Sequence, residues 1–110
     1  MTTVTIFQNR DGAFRGFSCD GHSGYADAGE DIVCASVSAL VITTINAIAK
    51  FTGEGYSDAD EDQAVIRFCL DKDCSHDTEL LIRAMILGLE EIAESYESYL
   101  QLIFEEVQPS

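Results

Sequence analysis

The segment IVCASVSALVITTINAIA, residues 32 to 49, carries apolar side chains around more than half of a helical circumference. Ile32, Ala35, Ala39, Ile42 and Ile45 follow one side at helical spacing, while Val33, Val37, Leu40, Val41 and Ile48 fill others. Such a helix, read from Asp31 to about Thr52, must be covered by a sheet on one side and by something further on another. In a chain of 110 residues the further cover is expected to be a second copy, hence a homodimer, with the chain's own second helix as the alternative. Ser, Thr and Asn dilute the segment and acidic residues precede it, so it reads as a buried helix and not as a membrane span.

The flanking sequence supplies the sheet. Val4 and Ile6 alternate with Thr3, Thr5 and Phe7, and Arg10-Asp11-Gly12 makes a turn into FRGFSC, which together read as a β-hairpin. Gly53 and Gly55 end the apolar helix. YSDADED and QAVIRFCLD then read as a second hairpin, with Ile66, Phe68 and Leu70 facing the core. Leu81, Met85, Leu89 and Ile92, with Ala84 and Gly88 between them, set a second helix from about Thr78 to Tyr96. Leu100, Leu102 and Phe104 alternate in a last strand. The order is ββαββαβ, which predicts an α+β fold: a mainly antiparallel sheet packed with two helices in a single domain over residues 1–110.

Charge and cysteine content narrow the function. Six basic against 20 acidic residues give a formal net charge of -14, which repels phosphate backbones and anionic membranes and favours a cationic partner, or simply keeps the chain in solution. MTTVTIFQNR lacks the basic start and apolar run of a signal peptide, so a cytoplasmic location is expected. In that compartment the cysteines at 19, 34, 69 and 74 are expected as thiols rather than disulfides.

GHSGYADAGEDIVCAS, residues 21 to 36, brings a histidine and a cysteine to either side of a loop of small residues at the strand-to-helix junction. Asp31 falls at or just before the first helical turn, where a carboxylate can cap free amides, and Cys34 about one turn further in. A thiol near a helix amino terminus, beside an imidazolium, holds more thiolate at neutral pH. His22 and Cys34 are twelve positions apart, a span that a loop containing Gly24 and Gly29 can close. Spacing alone leaves other readings open. A cysteine on an apolar helix is commonly a small buried hydrophobe, and a loop histidine a surface residue. Cys19, His22 and Cys34, or Cys69, Cys74 and His76, could each contribute to a zinc site, although neither group has the paired spacing of a structural one.

Gly21-His22 followed by a short loop and by Gly29-x-Asp31-Ile32-Val33-Cys34-Ala35-x-Val37-Ser38 resembles the signature of the bacterial ribosomal-processing cysteine proteases. That family's small, dimeric α+β domain also agrees with the element order over essentially the whole chain. The resemblance implies an endopeptidase, without cofactor or metal, that removes a short N-terminal extension from a basic large-subunit ribosomal protein, the one usually numbered twenty-seven, after an aromatic, apolar stretch. It implies Cys34 as nucleophile and His22 as general base and later acid, with Gly21, Asp31 and Ser38 in supporting positions.

The chemistry agrees with those roles. A thiolate attacks the scissile carbonyl, the imidazole returns a proton to the leaving amine, and water clears the acyl-enzyme. Backbone amides at the helix start, Cys34's included, are the expected oxyanion donors, and the loop from Ser23 to Glu30 is expected to move over the substrate. No direct nucleic-acid contact is expected. The competing readings are a non-catalytic ribosome-assembly or protein-binding module of the same fold and a small zinc-binding domain.

Overall fold

The computed structural model describes residues 1–21 and 28–107, the side chains of residues 28–30 excepted. Among these, the chain runs β1 (Thr2–Gln8), β2 (Phe14–Asp20), α1 (Ala28–Phe51), β3 (Tyr56–Asp60), β4 (Val65–Cys69), α2 (His76–Ser95) and β5 (Leu100–Glu106). The α+β order expected from the sequence is the order found.

The five strands form one sheet in the order β3-β4-β2-β1-β5. Both hairpins pair antiparallel, as do β2 and β4, whereas β5 returns alongside β1 in parallel, Thr2 opposite Leu100 and Ile6 opposite Phe104. The first turn is tied by the Asn9 side chain, whose Oδ1 accepts from the N–H groups of Asp11 and Ala13, each at 2.9 Å.

Period-two alternation selects the core face. Val4 and Ile6 of β1 stand opposite Cys19 and Phe17 of β2, which in turn stand opposite Ile66 and Phe68 of β4. Phe17 and Phe68 stack with ring centroids 5.0 Å apart. Thr3, Thr5 and Ser18 alternate onto the other face and are half-buried.

α1 lies on this core face with Val33, Val37, Val41, Thr44 and Ile48 buried. That stripe differs from the side first traced by spacing, since Ile32, Ala35, Ala39 and Ile42 are exposed and only Ile45 of that set is buried. A helix apolar all round gives no preferred side; the sheet selects one. The segment from Asp31 to Phe51 is long and apolar enough to cross a membrane, yet here it supplies the wall of the core.

α2 packs beside α1, burying Ile82, Met85, Ile86 and Leu89. The chain's own second helix is thus one cover of α1. Gly88 lets the helices approach: a Cβ there would stand 2.8 Å from Leu40 Cδ2. Just past the end of α1 stands Gly53, left-handed at φ 70°, with its N–H and that of Thr52 donating to the Ile48 carbonyl at 3.0 and 2.9 Å. Ser75 caps α2, its Oγ accepting from the Thr78 N–H at 3.2 Å.

Candidate active site

α1 begins three residues earlier than expected, at Ala28 and not Asp31. Gly29 and Glu30, placed in the loop from the sequence, are therefore helical backbone, and Asp31 is an exposed first-turn residue, not the cap. Its carboxylate still stands where the helix dipole favours negative charge. Cys34, as the seventh residue of α1, has its N–H inside the i→i−4 ladder, so the expectation that this amide is a free oxyanion donor does not hold.

Asp31, Cys34 and Ser38 follow one flank of α1 at intervals of three and four. That flank faces the end of β2. Gly21, just past β2, donates its N–H to the Ala64 carbonyl at 3.0 Å, which pins the end of β2 to the turn between β3 and β4. A Cβ on Gly21 would lie 3.4 Å from Cys34 Sγ and 4.0 Å from Thr2 Oγ1. The thiol is half-buried against backbone that carries no side chain.

Gly21, Cys34 and Ser38 line a pocket of about 340 Å³ together with Cys19, Asp60 and Glu61. The structure therefore brings together three of the five site residues expected from the sequence and sets Asp31 on the same helix flank. His22 and the loop residues 23–27 lie outside the described residues. Cys19, grouped with His22 and Cys34 from the sequence only as a candidate zinc ligand, lines the pocket; the β3–β4 turn was not legible as part of the site, because only strand register brings it beside Cys34.

Cys19 faces the pocket from β2 but differs chemically from an attacking thiol. It is 3% exposed, and burial first, then the neighbouring Cys34 and Asp20, push its thiol up to about 11. It stays protonated at neutral pH. All four cysteines are free, and among the described residues no group of three His, Cys, Asp or Glu side chains could hold a metal ion.

The pattern of the family described as "Cysteine protease Prp" matches residues 1–101. The chain belongs to this family. The ribosomal processing cysteine protease Prp of Bacillus subtilis strain 168 is 34% identical over 107 residues, covering 93% of this chain and 96% of that protein. Its Staphylococcus aureus Mu50 counterpart is 31% identical over 103 residues, 93% of this chain and 97% of the other. The crystal structure of an essential ribosomal processing protease Prp from S. aureus, in complex with a substrate peptide, superposes with a TM-score of 0.89 at 27% identity, covering 96% of this chain and all of that one. Membership of the Prp family makes this chain a cysteine protease, and in it the half-buried Cys34 opens onto a pocket with space for a peptide bond.

Proposed function

We propose that this chain is an endopeptidase that removes the N-terminal extension of a basic large-subunit ribosomal protein, with Cys34 as nucleophile and His22 as general base and then acid. The observation that carries this reading is the seating of the Cys34 thiol against Gly21, the residue that directly precedes His22 in the chain, at an open pocket. The Cys34 sulfur adds to the scissile carbonyl, the proton held by His22 passes to the departing amine, and water releases the new carboxylate from the thioester.

Asp31 and Ser38, on the flank of α1 that carries Cys34, are supporting residues, and Gly21 keeps the approach to the sulfur open. The domain spans residues 1–110 and acts in the cytoplasm without cofactor. A net charge of -14 favours encounter with a cationic ribosomal protein. The exposed row of Ile32, Ala35, Ala39 and Ile42 supports a homodimer across α1.

The test is incubation of the purified chain with a peptide that carries an aromatic-rich extension ahead of a basic segment, read by mass spectrometry. One internal cut is expected, and it disappears in Cys34→Ala and in His22→Ala while both variants stay folded. Cutting by Cys34→Ala would show that another residue is the nucleophile.

A further inference from the structure

Peptide cleavage employs one of the two thiols at the pocket. Cys19 lines it beside Cys34 and has no part in the attack on a carbonyl. Strand register fixes where Cys19 points: it stands opposite Val4 of β1 and Ile66 of β4, on the face that α1 covers. Gly21, two residues on, continues that face. Its N–H donates to the Ala64 carbonyl at 3.0 Å, and a Cβ there would stand 3.4 Å from Cys34 Sγ. Residues i and i+2 of a strand are about 6.6 Å apart. The Cys34 sulfur therefore stands about one such step along β2 from Cys19, and Gly21 puts no side chain between them. The electrostatics agree, because charge on Cys34 is second only to burial in raising the Cys19 thiol.

The other two cysteines are placed elsewhere. Cys69 pairs with Gly16 and Tyr56 and alternates onto the opposite face of the sheet from Phe68. Cys74 lies just before α2, near Glu54 and Glu79. Neither lines the pocket at Cys34.

We propose that Cys34 is a site of reversible oxidation by hydrogen peroxide and that Cys19 is its resolving thiol, the two closing into a disulfide that holds the protease inactive until a dithiol reduces it. The Cys34 thiolate attacks one peroxide oxygen. The S–O bond forms as the O–O bond breaks, hydroxide leaves and takes up a proton as water, and the sulfur is oxidised to a sulfenic acid. Cys19 then gives up its proton and attacks the Cys34 sulfur. The S–S bond forms, the S–O bond breaks, and hydroxide departs with that proton as a second water. In sum, two thiols and one hydrogen peroxide become one disulfide and two waters.

Burial sets the order of these steps. Cys19 is 3% exposed, whereas Cys34 is half-buried beside open space, so the peroxide meets Cys34 first. Once Cys34 is a neutral sulfenic acid, the charge that helped to raise Cys19 is gone, and the second thiol is already held in the same pocket. Without Cys19, the sulfenic acid passes to sulfinic acid, which thiols do not reduce.

The experiment treats the reduced chain with a small excess of hydrogen peroxide at neutral pH, blocks remaining thiols with N-ethylmaleimide, and reads intact mass and a non-reducing peptide map. The treated chain is expected to be lighter by two hydrogen atoms before blocking, to take up two maleimides in place of four, and to yield one linked pair of peptides holding Cys19 and Cys34. Turnover of a peptide substrate is expected to fall at least about tenfold and to return with dithiothreitol. In Cys19→Ala, Cys34 is expected to gain first one and then two oxygens, with less than about a tenth of it recovered as thiol by dithiothreitol. A chain carrying Cys69→Ser and Cys74→Ser is expected to form the same bridge as the unmodified chain. Sulfinic acid accumulating on Cys34 equally with and without Cys19, or a linked pair with Cys69 or Cys74 in the place of Cys19, overturns the inference. So does full turnover by the bridged chain. If Cys19→Ala misfolds, the map of the unmodified chain decides, and Cys19 and Cys34 found unlinked after peroxide overturn it. The bridge is read by mass, so a chain that forms it but never cuts a peptide keeps the oxidation site and loses only the endopeptidase reading.

Discussion

Cys34 Sγ stands 3.4 Å from the place a Cβ on Gly21 would occupy. That is ordinary van der Waals contact, and Gly21 is not in the left-handed region that only glycine favours. An alanine there fits the fold but puts a methyl group on one side of the sulfur. Gly21→Ala is therefore expected to shift stability by less than about 1 kcal/mol and to lower peptide turnover by about tenfold. Denaturant midpoints and steady-state rates measure the two effects separately; turnover equal to that of the unmodified chain would show that this side of the thiol is not the side the substrate uses.

Two cysteines share the pocket, and they are expected to react in sequence. Cys19 is buried and its thiol is pushed up to about 11, so at pH 8 it is almost wholly protonated, while Cys34 is half-buried beside open space. Iodoacetamide at pH 8 should modify Cys34 first and leave Cys19 intact in the folded chain, as peptide mapping would reveal. Cys19 should take up label only as pH approaches about 11 or on unfolding. Labelling of both at equal rates at pH 8 would contradict this picture of β2.

Glu54 links the ends of the two helices. Its carboxylate accepts from Thr78 Oγ1, from Ser75 Oγ at 2.7 Å and from the Ser75 N–H at 3.2 Å. The Thr78 and Ser75 bonds hold its carboxyl below the ordinary carboxylate value. A depressed folded-state value means stability that is present above the unfolded-state pKa and is lost as pH falls through the folded one. Urea midpoints of the unmodified chain and Glu54→Gln are accordingly expected to differ most near neutrality and to converge in acid. A gap that stays constant from pH 7 to pH 3 would mean that the carboxylate's charge contributes nothing.

Much of this architecture is visible in local pattern. Val4 and Ile6 alternate onto a buried face because hairpin register allows them no other, and Gly53 stops α1 where left-handed backbone is required. The parallel return of β5 beside β1 is not local, because it depends on where the α2 crossover ends. Residues 32, 35, 39 and 42 of α1 looked as apolar as 33, 37, 41 and 48, and only the sheet distinguishes them. At the site, Cys34 was legible from spacing and from resemblance, along with its neighbours Gly21 and Ser38. Cys19 lies two residues before Gly21 and was singled out beside Cys34 only as a candidate metal ligand, whereas Asp60 and Glu61 reach the pocket through β-ladder pairing across a long stretch of sequence, which leaves no trace in the segment around Cys34.

In the proposed mechanism the sulfur of Cys34 forms a covalent bond with the carbonyl carbon of the peptide being cut. Rapid acid quenching of the chain with excess substrate peptide, followed by intact mass measurement and peptide mapping, tests it most directly. A transient adduct is expected, equal in mass to the N-terminal product less one water, carried as a thioester on Cys34 and absent from Cys34→Ala. Substrate cleaved over many turnovers by the Cys34→Ala chain, or an adduct on any other residue, would contradict it.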